Sequence, residues 1–312
     1  MIRYDMTEEA LKDAIREIAP TWLDLAAART EGFRDAGGYD EKMGMWSAIK
    51  DAYLRFQFDK CAFCERPFAA PPEGRIEHDV EHFRPKSAVK AWPTAKIRER
   101  RKITFRYPMG DSDAKGYYLL SYSPLNYATA CKNCNSSFKS SYFPIAKNRR
   151  PLCENPADAK EEEAYIPYPL GKFDDDPERI ITFEGILPVP RVKSPSSVRH
   201  RRAQVTIAFF NLDLREELLE DRSRVIAALW FFLDRTGDGE AEVVRDYARR
   251  MIALATAPSS PHTSCSRAYV DLYRRDVVKA TAYFDAAVRY LESKQALRKL
   301  TRDAPERDLP PT

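Results

Sequence analysis

Histidine is scarce in this chain: four occur in 312 residues, at positions 78, 82, 200 and 262. Chemistry that needs an imidazole base has only these to draw on. Long apolar runs are missing as well, and nothing approaches the roughly 20 residues a membrane helix requires. The stretch from Met1 to Glu17 is charged and lacks the apolar centre of a secretion signal. The expectation is a cytoplasmic protein with no membrane partner. A large excess of one charge is also absent. The net charge is only +4 although 31% of residues are charged, so any nucleic-acid surface has to come from local clustering. Internal repeats and low-complexity blocks are not seen either, which argues against a solenoid.

What is present suffices for a core: 44% of residues are hydrophobic, enough for one large domain or two modest ones. Residues 1–58 read as helical. Thr7 is placed to cap a helix on which Leu11, Ile15 and Ile18 share a face, with Pro20 after its end. Thr21 is placed to cap a second helix that ends near Gly37-Gly38. A third is expected from about Glu41 to Phe58, with Trp46, Ile49, Tyr53 and Phe56 at helical spacing. Residues 59–150 change character: they hold four cysteines, two histidines and many prolines and basic residues. They read as a metal-organised module rather than an apolar core, with one short helix around 91–101. Residues 151–196 read as a connector, loop as far as 178 and then a β-hairpin turning at Glu184-Gly185. Helices are expected near 198–211, 214–235, 239–256, 264–274 and 276–300, making 197–301 a C-terminal helical region. A disordered tail is expected over 302–312. The fold class is α+β.

Cys61-Ala-Phe-Cys64 and Cys131-Lys-Asn-Cys134 are two Cys-x-x-Cys pairs. Each presents two thiolates from a tight knuckle, and two knuckles complete the tetrahedral S4 site of structural Zn2+. A redox dithiol needs only one pair. The gap from Cys64 to Cys131 is far longer than in a simple zinc ribbon, so something is inserted between the knuckles. Cys153 and Cys265 have no partner at ligand spacing and read as ordinary small thiols.

The insert contains Glu77-His78-Asp79-Val80-Glu81-His82-Phe83-Arg84-Pro85-Lys86-Ser87, which sets half the histidines among three carboxylates. Such a cluster suits a hard cation held by carboxylate beside an imidazole base. Asn126, Asn135 and Lys139 follow. Glu81-His82-Phe83-Arg84-Pro85, with Asn126 in Pro124-Leu125-Asn126 and Asn135 just after the second knuckle, resembles the HNH endonucleases. Lys60-Cys61-x-x-Cys64-Glu65, Val80 to Ser87 and Cys131-x-x-Cys134-Asn135 resemble the PtuB-type nucleases of Septu antiphage systems, to which nucleases accompanying some retrons are related. Weaker echoes at 151–156, 183–188 and 210–222 extend the likeness over about residues 43–222.

The resemblance implies a ββα-metal module flanked by helical regions and a metal-dependent phosphodiester hydrolysis. His82 would be the general base, with Glu81 and Asn135 holding Mg2+ or Mn2+. Asn126 would orient His82, and Lys139 would contact the scissile phosphate. DNA is the expected substrate and RNA the other option, with a PtuA-like ATPase as protein partner. Glu81 stands where many HNH proteins have Asp. His78 shares a strand face with His82 and is a rival base, although a structural role suits it better. Asp79 shares Glu81's face. His200, His262 and the run Arg199 to Arg202 read as ordinary surface. The stretch from Arg84 to Arg106 holds nine basic residues against Glu99 alone, and Lys132 to Arg150 holds five and no acid. Both flank the expected site and suit phosphate contact. The rival function is a non-catalytic zinc-stapled subunit that binds nucleic acid or an ATPase, for which Glu81 and His82 would be unnecessary. Leu229 to Phe232, Tyr283, Phe284, Tyr290 and Leu291 are candidates to dock a partner, or simply core.

Overall fold

The computed structural model describes residues 1–69 and 78–302, with side chains to residue 298. Glu77 and residues 303–312 of the expected tail lie outside the described residues. The chain is α+β: helices with two small antiparallel sheets and a cluster of four cysteines.

Helix α1 (Glu8–Ile18) starts where Thr7 Oγ1 accepts the Ala10 N–H at 3.1 Å, and it buries Leu11, Ala14 and Ile15. Helix α2 (Trp22–Ala36) stops at Gly37, whose φ of 67° is costly for any residue with a Cβ. The Gly37 and Gly38 N–H groups then bond back to Arg34 and Phe33, a Schellman ending. The third helix is shorter than its apolar spacing predicts. A 3-10 turn covers Trp46–Ile49 and α3 runs only over Lys50–Gln57. Residues 41–45 are committed elsewhere. The Glu41 carboxylate takes Arg29 and the Tyr122 hydroxyl, and Trp22 Nε1 donates to Met45 O at 2.9 Å. A Cβ at Gly44 would lie 1.9 Å from the Trp46 ring.

Strand β1 (His78–His82) pairs antiparallel with β2 (Tyr127–Cys131), with His78 opposite Cys131 and His82 opposite Tyr127. The connection carries the short helix α4 (Ala95–Arg100) and two 3-10 turns. A π-type helical segment, Asn133–Lys139, follows β2. The expected connector holds a 3-10 turn, Pro156–Glu162, and helix α5 (Pro177–Ile180), so 151–178 is not all loop. The hairpin is β3 (Ile181–Glu184) and β4 (Leu187–Pro190), turning through Gly185 at φ 60°. Helices α6 (Val198–Phe210), α7 (Glu216–Asp234), α8 (Glu242–Thr256), α9 (Thr263–Arg275) and α10 (Val277–Arg302) complete the described chain.

One buried apolar cluster runs from Met1 to Leu218, and it includes Val80, Phe83, Val89, Trp92, Tyr117 to Leu120 and Tyr127. Residues 59–150 therefore contribute heavily to an apolar interior, contrary to the reading of a metal-organised module without one. Their buried residues sit on short strands and turns, where no helical period shows. A second cluster, with Ile226, Leu229, Ile252 and Tyr269, belongs to α7–α10. There Trp230 stacks on Phe284 at 5.0 Å, while Phe231 is half exposed. No described helix is long and apolar enough to cross a membrane.

Candidate active site beside a four-cysteine cluster

The knuckles meet at one end of the β1–β2 pair. Buried Gln57 binds both edges: its amide donates to Lys60 O and Thr129 O, each at 2.9 Å, and accepts the Thr129 N–H at 2.8 Å. Ala62 N–H adds a bond to Thr129 O at 3.0 Å, which fixes the first knuckle on β2. The Sγ atoms of Cys61, Cys64, Cys131 and Cys134 all lie within 4.8 Å of one another. A Zn–S bond of about 2.3 Å implies a tetrahedral S–S edge of about 3.8 Å. The Cys64–Cys131 separation is 3.8 Å. The donor set therefore fits Zn2+. Hydrogen bonds from the neighbouring thiols, Cys134 first, hold the Cys131 thiol well below its ordinary range. Arg215 Nη1 lies 3.2 Å from Cys134 Sγ, a cation beside a site that gathers negative charge when loaded. Glu65, directly after the first knuckle, accepts the Ser264 N–H at 3.0 Å and anchors the start of α9.

At the other end of the pair His82 is buried between the edges of Trp46 and Tyr127, with ring centroids at 4.7 and 4.9 Å. Its Nε2 lies 3.0 Å from the Ser121 carbonyl. A carbonyl only accepts, so the neutral ring carries its proton on Nε2 and leaves the Nδ1 lone pair as the basic atom. Burial, and then the Lys86 charge, hold its pKa well below the ordinary 6.5. Tyr127 OH donates to the same Ser121 carbonyl.

Asn126 works one step from the ring. Its Oδ1 accepts Arg84 N–H at 2.8 Å, and its Nδ2 donates to Arg84 O at 2.9 Å and to Leu120 O at 3.1 Å. It thus ties the chain just after His82 to the chain just before Ser121.

Glu81, buried like His82, lies among the same cations, since the charges of Lys86 and Lys139 act on both groups. Its carboxyl is raised by burial, an effect opposed by Lys139. Lys139 Nζ lies 2.5 Å from Glu81 Oε1, and its side chain has no exposed surface. Half-buried Asn135 lies on the same π-type segment as Lys139. Asp79 pairs with Lys132 at 2.5 Å at the surface. His78 stacks on Phe68 at 4.2 Å, away from His82 at the cysteine end of the strand.

Several residues the sequence reading placed on the surface are structural. His200 and His262 are both buried; His200 Nδ1 lies 2.7 Å from Val192 O, and His262 lies 3.5 Å from Asp221. Arg202 is buried against Asp174 at 2.7 Å. Within the basic stretches, Arg101 donates to Ala208 O and Phe209 O at the end of α6, and Arg149 to Asp111 O and Phe143 O. Buried Arg84 pairs with Glu162 at 3.3 Å. Lys90, Lys96, Arg100, Lys102 and Arg106 stay exposed. Lys86 lies over the rings of Trp46 at 4.7 Å and Tyr39 at 5.0 Å, beside the His82 site. The sequence reading assigned no role to Ser121, Tyr127, Trp46 or Lys86. Lys86 alone carried a signal, its place in the quoted motif. No family model, curated protein or solved structure matches this chain.

Proposed function

We propose that this chain is a metal-dependent endonuclease of the HNH type, hydrolysing phosphodiester bonds of DNA or RNA. We propose further that it is the effector of an antiphage system with a PtuA-like ATPase partner; that part rests on the motif resemblance alone. The observation that carries the catalytic reading is the orientation of His82. Its Nε2–H is fixed on the Ser121 carbonyl, so Nδ1 takes the proton of the attacking water and the carbonyl steadies the imidazolium that forms. The negative charge of a bound phosphate raises the ring's pKa toward the working range. Glu81 and Asn135 offer oxygen donors only, a set that suits Mg2+ or Mn2+ with most of its waters retained. When bound, that ion supplies charge that stabilises the phosphorane and the leaving oxygen. Lys86 is placed beside the site to draw phosphate in.

One observation favours the second reading, a non-catalytic subunit that binds nucleic acid or an ATPase. Lys139 already neutralises Glu81 inside the protein, where a metal would otherwise be needed. His82→Ala decides between them. With Mg2+ and the ATPase partner present, the nuclease reading expects cleavage to fall by about 10² to 10⁴-fold while zinc content is kept. Cleavage at the wild-type rate would remove His82 from the mechanism. A wild-type protein that cuts neither DNA nor RNA would leave the binding reading standing.

A further inference from the structure

A cavity of about 450 Å3 opens between the Pro156–Glu162 turn, residues 172–175 and the start of α6. Neither Glu81 nor His82 lines it, and the proposed hydrolysis makes no use of it. Its size is that of small-molecule sites rather than of a water pocket. Phe83, Leu125, Tyr168 and Phe173 give it an apolar, largely aromatic wall.

Its charges separate into two sets. Within the wall they are matched: Arg84 is held by Glu162, Arg202 by Asp174 and Asp175, and Glu163 by Lys147. Lys160 and Lys172 also line it, are exposed, and belong to no ion pair among the described residues. An aromatic wall beside unmatched positive charge selects a flat ring that carries an anion.

We propose that this cavity binds a nucleoside monophosphate unit, its base against the partly exposed ring of Phe173 and its phosphate facing Lys160 and Lys172. The unit comes either as a free nucleotide or as one residue of a strand. The floor touches the candidate active site through the backbone. Phe83 directly follows His82, and Tyr168 OH donates to Tyr127 O at 2.8 Å, opposite His82 in the strand pair. Occupancy therefore braces both strand ends, and the bound protein melts at a higher temperature.

The test is calorimetry on the full-length, zinc-loaded protein with the four nucleoside monophosphates, the matching nucleosides, ribose 5-phosphate and a 5′-phosphorylated oligonucleotide. At least one monophosphate is expected to bind in the micromolar range and to raise the melting temperature. Its nucleoside and ribose 5-phosphate should bind at least tenfold more weakly. Lys160→Glu with Lys172→Glu, both at exposed positions, should weaken binding at least tenfold, and Phe173→Ala should weaken it as well. His82→Ala should leave it unchanged, so a failure of the nuclease reading stays separate. An oligonucleotide that binds more tightly than the monophosphate and displaces it assigns the cavity to a strand; the reverse order assigns it to a free nucleotide. No binding of any of these up to about 1 mM overturns the proposal. So does binding that is indifferent to the charge-reversed pair.

Discussion

The two ends of the β1–β2 pair are built by opposite means. At the cysteine end four side chains from two short sequence motifs converge, and their geometry matches one tetrahedral ion. At the histidine end one side chain is held by a backbone carbonyl thirty-nine positions away, with Asn126 and Tyr127 fixing that carbonyl's surroundings. The first end is arranged for coordination, the second for packing and hydrogen bonds. Asn135 and Lys139 connect them, since both sit on the segment that starts inside the second knuckle. Disturbing the cysteines should therefore reach the histidine, whereas disturbing the histidine should leave the cysteines alone.

The largest effect tests that asymmetry. Structural zinc contributes about 10 kcal/mol or more in small zinc modules. If the cluster holds zinc and the proposed nuclease reading is right, Cys131→Ser, or a strong chelator, should release one zinc per chain, collapse the cooperative melt and abolish cleavage together. His82→Ala should leave zinc content intact. Metal analysis beside thermal melting reads both. A Cys131→Ser protein that melts like wild type would make the knuckles independent of the fold.

Next in size is the Glu81–Lys139 pair. Removing one partner of a buried pair leaves an uncompensated charge and costs about 3–5 kcal/mol. Lys139→Met should destabilise the protein by about that amount by urea melting, and adding Glu81→Gln should recover most of the loss. A single variant that keeps its stability but loses nucleic-acid affinity would instead place Lys139 on the phosphate.

The pH response separates the ends further. His82 has its folded pKa depressed by burial, so between that value and 6.5 the unfolded chain binds the extra proton and the folded chain resists it. Stability from the neutral ring is complete above pH 6.5 and is lost as pH falls below it toward the folded value. Melting temperature should drop between pH 7.5 and 5.5, and His82→Asn should reduce that drop. An equal drop in the variant would assign the acid response to other groups, His262 first, since burial depresses its pKa too.

The sequence showed the cysteine end far better than the histidine end, for physical reasons. Metal ligation demands particular residue types at tight spacing, so Cys61, Cys64, Cys131 and Cys134 stand out by identity. The Thr7 cap of α1, the Gly37 end of α2 and the Gly185 hairpin were legible in the same way, through local chemistry. Thr21, read as the cap of α2, instead has helical dihedrals and makes no side-chain cap bond. Ser121 acts through its carbonyl, which every residue owns, and no pattern marks it. Lys139 was readable as a cation near the site, but whether it faces a phosphate or the Glu81 carboxylate depends on packing. The buried interior of residues 59–150 escaped notice because Phe83, Val89 and Trp92 lie on turns and short strands without a period. His200, His262 and Arg202 read as surface because polar residues usually are; here each has a specific buried partner.

The smallest effect probes how finely the histidine end is tuned. Tyr127 OH and His82 Nε2–H share the Ser121 carbonyl. Tyr127→Phe keeps the ring that packs against His82 and removes only the hydroxyl, and a net hydrogen bond is worth about 1 kcal/mol. The carbonyl retains His82 as a donor, so no acceptor is left bare. The expected result is a melting loss of a few degrees. On the proposed nuclease reading, the cleavage rate should fall only severalfold, with zinc content unchanged and the rate's pH profile shifted slightly, because the carbonyl then polarises one donor rather than two. A loss as deep as that of His82→Ala would mean that Tyr127 does more than hold Ser121, and that the histidine end depends on its hydroxyl as strictly as the other end depends on its thiols.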